Sequence, residues 1–138
     1  MSTLVNPLFT ISIQTGIEYM HELGIAVQVV ESAVSSIPSS LQGQPVKKVT
    51  LDIGKMAGIT AHSLRFCFEI VSKGTVLETS ELVINEIPVT AKCRSCLSEW
   101  IITEPIFLCE KCGTPDINVE TGRELLIRSI EVADNQNI

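Results

Sequence analysis

Cys93-Arg-Ser-Cys96-Leu-Ser-Glu-Trp-Ile-Ile-Thr-Glu-Pro-Ile-Phe-Leu-Cys109-Glu-Lys-Cys112-Gly113 is the stretch on which the reading of this chain turns. Each Cys-x-x-Cys folds into a tight turn that aims two sulfurs at one point. Two such turns, twelve residues apart, supply a tetrahedral thiolate cage. Zinc adopts this closed geometry at structural sites, where no coordination position is left for water or substrate. Gly113 suits a backbone that needs positive φ after the second pair. Between the pairs, Glu99–Leu108 reads as a strand, a bend at Pro105 and a second strand, the ribbon of a zinc-ribbon module. Iron in a rubredoxin-like cage fits the same spacing. A thioredoxin-type redox motif does not, since it uses a single pair in a βαβ setting.

On either side of the cage the apolar pattern describes an α+β unit. From Met20 onward, Leu23, Ala26, Val27, Val30, Ala33, Val34 and Ile37 recur at helical spacing, and Pro38 stops the run. Val46–Gly54 alternates, with Val49, Leu51 and Ile53 on one face, as in a half-buried strand. Thr60 is placed to cap a second helix whose buried stripe is Leu64, Cys67, Phe68 and Val71, and Lys73-Gly74 reads as its end. Cys67 on that stripe reads as a small buried hydrophobe. A strand over Glu81–Ala91 changes phase at Pro88, which predicts an edge position or bulge there. Glu124–Val132 alternates as a last strand returning to the first sheet.

The expected fold is thus α+β, two helices on a small mixed sheet with an inserted zinc ribbon. Its expected divisions are an extension over 1–19, an α/β domain over 20–88, the ribbon over 89–118, and a return strand with tail over 119–138. Residues 1–19 share no period with the helix that begins at Met20. They read as an extra strand, a loose arm, or the product of a start codon placed upstream of Met20.

Composition narrows the function. The chain has 138 residues, 45% of them apolar, and a net charge of −6, which opposes a general nucleic-acid binder. No apolar run approaches the roughly 18 residues needed for a membrane span, and no secretory signal is legible. A reducing, cytoplasmic setting is expected, in which cysteines bind metal rather than pair. There is no phosphate loop and no paired-carboxylate signature, and the only histidines are His21 and His62, so a carrier fits better than an enzyme. Taken alone, each histidine reads as a solvated residue near a helix start.

Met20-His21-Glu22-Leu23-Gly24-Ile25, the segment Ser63–Thr75, the paired Cys-x-x-Cys motifs and Leu126–Val132 occur in an order that resembles the HypA/HybF family, nickel chaperones of [NiFe]-hydrogenase maturation. The resemblance spans Met20 to Asp134. It implies Ni2+ bound by Met20, His21 and Glu22, and a structural Zn2+ held by Cys93, Cys96, Cys109 and Cys112. It also implies cooperation with the GTPase HypB, and delivery of nickel to a hydrogenase large-subunit precursor by a monomer or dimer. Ni(II) favours square-planar nitrogen ligation. A free α-amine on Met20, the amides of His21 and Glu22, and the His21 imidazole make such a set. The chain departs from the family pattern in two places. Nineteen residues precede Met20, so its nitrogen is a peptide amide. Thr60-Ala61-His62-Ser63 also lacks the carboxylate that some relatives carry near the second helix, which leaves His62 as the substitute. The competing readings are a zinc-ribbon interaction module that handles no nickel and an iron electron carrier.

Overall fold

A computed structural model describes residues Ser2–Val5, Ile11–Ser12 and Glu22–Asp134, with side chains from Glu22 to Ala133. Met20 and His21 lie outside the described residues. The elements are β1 (Ser2–Val5), β2 (Ile11–Ser12), α1 (Glu22–Ser36), β3 (Val46–Gly54), α2 (Ala61–Val71), β4 (Glu81–Ile87), β5 (Val89–Cys93), β6 (Glu99–Ile102), β7 (Ile117–Thr121) and β8 (Leu125–Asp134). A short 3₁₀ turn at Ser39–Leu41 follows Pro38. The larger sheet has the order β1-β8-β3-β4, with β2 also on β8; β5 is flanked by β6 and β7 in the smaller one. β3 pairs parallel with β4 and antiparallel with β8, so the larger sheet is mixed, and α2 forms the crossover between β3 and β4. Among the described residues no helix is long and apolar enough to cross a membrane.

One aliphatic core joins the helices to the larger sheet: Ile25, Val29 and Ala33 of α1, Leu64 and Phe68 of α2, Val49 and Leu51 of β3, and Ile127 and Ile130 of β8. The stripe of α1 is rotated from the sequence expectation. Ile25 and Val29 are buried with Ala26, Val30, Ala33 and Ile37, while Leu23 is half exposed. Nearly every residue from Leu23 to Val30 is apolar, so several helical stripes satisfy the same period, and contact with the sheet selects one. The stripe of α2 follows expectation, with Leu64 and Phe68 buried and Cys67 and Val71 packed against the core. Gly74 ends the α2 turn at φ 78°, a conformation glycine adopts without strain.

The last strand does not alternate throughout. Its inward residues are Leu125 and Ile127, then Ile130 and Val132, and the change of phase coincides with a register shift in which Ile127 pairs with Leu51 and Ser129 with Thr50. Arg128 is the extra residue of this bulge, which re-aims its side chain. Its Nε donates to Asp52 Oδ2 at 2.7 Å, Nη2 donates to the same oxygen, and Asn85 Nδ2 donates to Oδ1 at 3.2 Å. Asp52 is only 2% exposed, so its carboxylate depends on these donors. Arg128→Ala is expected to destabilise the protein by about 2 kcal/mol. That is less than the roughly 3–5 kcal/mol for breaking a fully buried pair, because the arginine itself is largely exposed and water replaces part of it. Denaturant unfolding at neutral pH checks the figure, and a change below about 0.5 kcal/mol would refute the dependence.

Pro88 does more than mark a bulge. β4 ends at Ile87 in the larger sheet and β5 begins at Val89 in the smaller one, so the chain changes sheets at the residue that cannot donate to a ladder. The strand expected after Pro105 is absent: residues 103–108 are irregular, and Ile106, Phe107 and Leu108 are exposed. The place beside β5 is taken instead by β7, which reaches Thr121 and extends the smaller sheet past residue 118. The two sheets meet where Lys55 N–H donates to Ile87 O at 2.9 Å and Met56 N–H to Gly122 O at 2.7 Å.

Candidate metal centre

Cys93 closes β5 and Cys109 comes after the irregular loop, and each opens a turn of the same construction. In the first turn Cys93 N–H donates to Ser98 O and Leu97 N–H returns to Cys93 O; in the second, Cys109 N–H donates to Thr114 O and Gly113 N–H to Cys109 O, all at 2.9–3.1 Å. Cys93 Sγ lies 3.4 Å from the amide nitrogens of Ser95 and Cys96, and Cys109 Sγ 3.4 Å from those of Lys111 and Cys112. The two N–H groups aimed at Cys109 Sγ favour its thiolate form. The first cysteine of each pair is buried and the second exposed.

The turns face each other so that all four sulfurs lie within 4.8 Å of one another. Cys93 and Cys112 approach to 3.6 Å, as do Cys96 and Cys109. That is well beyond the roughly 2.05 Å of a disulfide. It is close to the ~3.8 Å edge of a tetrahedron built on zinc–sulfur bonds of about 2.3 Å. All four cysteines are free. Four thiolates converging on one point suit a tetrahedral soft metal with no open position.

Sequence spacing does not reveal Ser98. Its hydroxyl sits 3.1 Å from Cys96 Sγ and 3.4 Å from Cys109 Sγ, bridging the two turns. The Cys112 amide, the Ser98 hydroxyl and the Lys111 amide hold the Cys109 thiol down at about 5, against the effect of burial. Ser98, through its hydroxyl and its amide, also lowers Cys96. The Thr114 amide favours ionisation of Cys112, but crowding by Cys93, burial, and the further crowding of Cys109 and Cys96 push it up to about 11. Within the cage the Cys109 thiol is thus eased toward ionisation and the Cys112 thiol is held back from it.

Leu97 and Gly113 occupy equivalent places after the second cysteine of each pair, with φ of 63° and 74°. Glycine tolerates that conformation; leucine pays roughly 1–2 kcal/mol for it. Leu97 is 65% exposed, so its side chain recovers little by packing. Leu97→Gly is expected to stabilise the cage by about 1 kcal/mol, or roughly fivefold in metal affinity, after the entropy cost of glycine. Competition against a chelator measures it, and weaker binding would contradict the strain argument.

Of the other residues singled out by sequence, Glu22 opens α1, and its Oε1 accepts a hydrogen bond from Thr60 N–H at 3.3 Å. The first turn of α1 is thereby tied to the start of α2. Thr60 caps α2 by position, without a side-chain cap bond. His62 is exposed in the first turn of α2. The only cluster of metal-ligating groups among the described residues is the four-cysteine cage.

A family profile described as hydrogenase/urease nickel incorporation, metallochaperone, HypA matches residues 20–132. A hydrogenase maturation factor HypA from Desulfatibacillum aliphaticivorans is 50% identical over 119 residues, which is 86% of this chain and 92% of that protein. One from Desulfosudis oleivorans is 47% identical over 115 residues, 83% of this chain and 100% of its own length. The solution structure of the Ni metallochaperone HypA from Helicobacter pylori superposes with a TM-score of 0.58 at 20% identity, covering 84% of this chain and all of that one. The two helices and the small sheets match that architecture. With a profile match over most of its length and relatives this similar, the chain belongs to the HypA family of nickel-incorporation metallochaperones, a family of carriers and not of enzymes.

Proposed function

We propose that this protein binds Ni(II) through Met20, His21 and Glu22 and delivers it to the [NiFe]-hydrogenase large subunit in the cytoplasm, in cooperation with the GTPase HypB. The carrying observation is that the family match opens at Met20, which sets Met-His-Glu at the head of the shared unit. The bond from Thr60 N–H to the Glu22 carboxylate supports it, since it ties the end of that segment to the start of α2. Amides at a helix start have no intrahelical acceptor and are available for metal ligation. A site built from one short segment needs no preformed pocket, which suits a cargo that must be released.

Zn(II) is the metal assigned to Cys93, Cys96, Cys109 and Cys112. Bound there it completes four-coordinate geometry and holds residues 89–121 together; it does no chemistry. The proposed division of labour is a nickel-binding unit formed by residues 20–88 with the return strand, and a zinc ribbon inserted after Pro88.

Nickel titration of the full chain and of a chain beginning at Met20, each beside its His21→Ala variant, tests the reading. One equivalent bound by the shorter chain, with a square-planar absorption spectrum that His21→Ala abolishes, is the expected result. Equal binding by the full chain would mean that a free amine on Met20 is dispensable. If neither chain binds nickel specifically, the protein is better read as a zinc-ribbon interaction module.

A further inference from the structure

The four sulfurs of the cage differ in the hydrogen-bond donors they hold. Cys93 Sγ has the amides of Ser95 and Cys96. Cys109 Sγ has those of Lys111 and Cys112, with the Ser98 hydroxyl 3.4 Å away. Cys96 Sγ has the Ser98 amide and, at 3.1 Å, the Ser98 hydroxyl. Cys112 Sγ has the Thr114 amide alone. Burial divides the same four along another line, since Cys93 and Cys109 are buried and Cys96 and Cys112 exposed. With zinc bound all of them are thiolates, so protonation no longer separates them. Access and nucleophilicity remain, and a thiolate loses nucleophilicity with each hydrogen bond that stabilises its charge. Cys112 alone in the cage is both exposed and left with a single donor. Cys93 of the facing turn stands 3.6 Å from it, while Cys109, in its own turn, stands 3.6 Å from Cys96.

We propose that the cage is an oxidation site for hydroperoxides, in which Cys112 reacts first and Cys93 of the facing turn then closes a disulfide on it. The proposal rests on the assignment of zinc to the cage and not on the nickel segment. The Cys112 thiolate attacks one peroxide oxygen; the S–O bond forms, the O–O bond breaks, and hydroxide leaves to be protonated by solvent. Cys112 is thereby oxidised by two electrons to the sulfenic acid. Cys93 Sγ then attacks the Cys112 sulfur, the S–O bond breaks, and a second hydroxide departs. The peroxide ends as two water molecules and the two cysteines as a disulfide. Closure shortens the 3.6 Å separation to about 2.05 Å, a small movement for a turn whose second cysteine is exposed. With two of its four sulfurs withdrawn, the cage gives up its metal.

The test begins with elemental analysis of the full chain, which is expected to carry one zinc. One equivalent of hydrogen peroxide is then added, and zinc release is followed with a chromogenic chelator. Trypsin separates the possible pairings, because cleavage after Lys92, Arg94, Lys111 and Arg123 leaves Cys93 on one peptide, Cys112 on another, and Cys96 with Cys109 on a third. Peptide 93–94 joined to peptide 112–123 is the expected product, formed in step with zinc release. Limiting N-ethylmaleimide should label Cys112 about tenfold faster than Cys96, the effect of one charge-assisted hydrogen bond. Ser98→Ala leaves Cys96 with one donor and should raise its labelling to the level of Cys112; Ser98→Thr, which keeps the hydroxyl, should not. A first disulfide within either turn, first labelling at Cys96, or a Cys96 indifferent to Ser98→Ala would overturn the proposal and leave the zinc assignment intact. A full chain that carries no zinc would overturn both.

Discussion

Cys109→Ser is expected to abolish stoichiometric zinc binding and to unfold residues 89–121 while the larger sheet and both helices persist. The physical ground is that the smaller sheet has no apolar core of its own. The core cluster draws every one of its buried residues from outside 89–121, and within that span burial is limited to Val89, Ala91, Cys93 and Cys109. Small modules of this kind are held by their metal, whose apparent contribution in zinc-finger peptides is about 10–16 kcal/mol. Loss of a direct ligand should weaken binding by more than the roughly 100-fold that an outer-sphere partner costs. Cys109 and Cys93 should be the most sensitive positions, since each accepts two backbone N–H groups that a shorter serine leaves unmet. Elemental analysis and amide exchange read the two parts separately. Full protection of residues 89–121 in a zinc-free Cys109→Ser protein would show that the lobe has another source of stability.

The same site carries a pH dependence whose sign is set by its thiols. Cys109, with a folded value of about 5 against an ordinary 9.0, favours the folded cage at pH above 9, and this contribution is lost as pH falls through 5. Cys112 acts in the opposite sense: its value of about 11 keeps it protonated where an unfolded thiol ionises, which penalises the metal-free fold above pH 9. Zinc requires every ligand as thiolate, so its affinity falls as pH falls, with the lowered Cys109 thiol contributing less to that fall than the raised Cys112 thiol.

Gly54→Ala is expected to cost about 3 kcal/mol, the upper end for overpacking. A Cβ at residue 54 would stand 2.0 Å from Gly122 O and 2.5 Å from Arg123 N, both backbone atoms with no rotamer to yield. Gly122 is bound in turn, with φ at 118° and room for no Cβ beside Val89, whose Cγ2 would be 2.7 Å away. The end of β3, the end of β7 and the start of β5 are therefore stacked backbone on backbone where the two sheets meet. Relief of the clash requires the smaller sheet to move relative to the larger. Denaturant unfolding of the zinc-loaded protein gives the cost, and a loss under about 1 kcal/mol would mean that this junction is loose.

Elements whose cause is local were legible before the fold was known. Pro38 and Gly74 end helices by backbone restriction and freedom, Val49, Leu51 and Ile53 alternate because a strand has two faces, and the Cys-x-x-Cys turns aim their own sulfurs. Where several answers satisfied the local rule, the choice belonged to distant contacts. The α1 stripe was ambiguous because Leu23 to Val30 is apolar nearly all round. The strand expected after Pro105 lost its place to β7, which lies later in the chain. The Arg128 bulge is written as a slip of phase between Ile127 and Ile130, yet its purpose is visible only once Asp52, 76 residues away, needs a counterion.

The spacing of the cysteines and the order of the α+β elements are written in the chain itself, since each is carried by residues within a turn or a strand of one another. Packing in three dimensions was needed for Ser98 to bridge both cysteine turns, for Gly54 and Gly122 to meet without side chains, and for β1 and β2 to cover β8. Those contacts join segments far apart in the chain, and their geometry is set by the packing of sheets that no local pattern encodes.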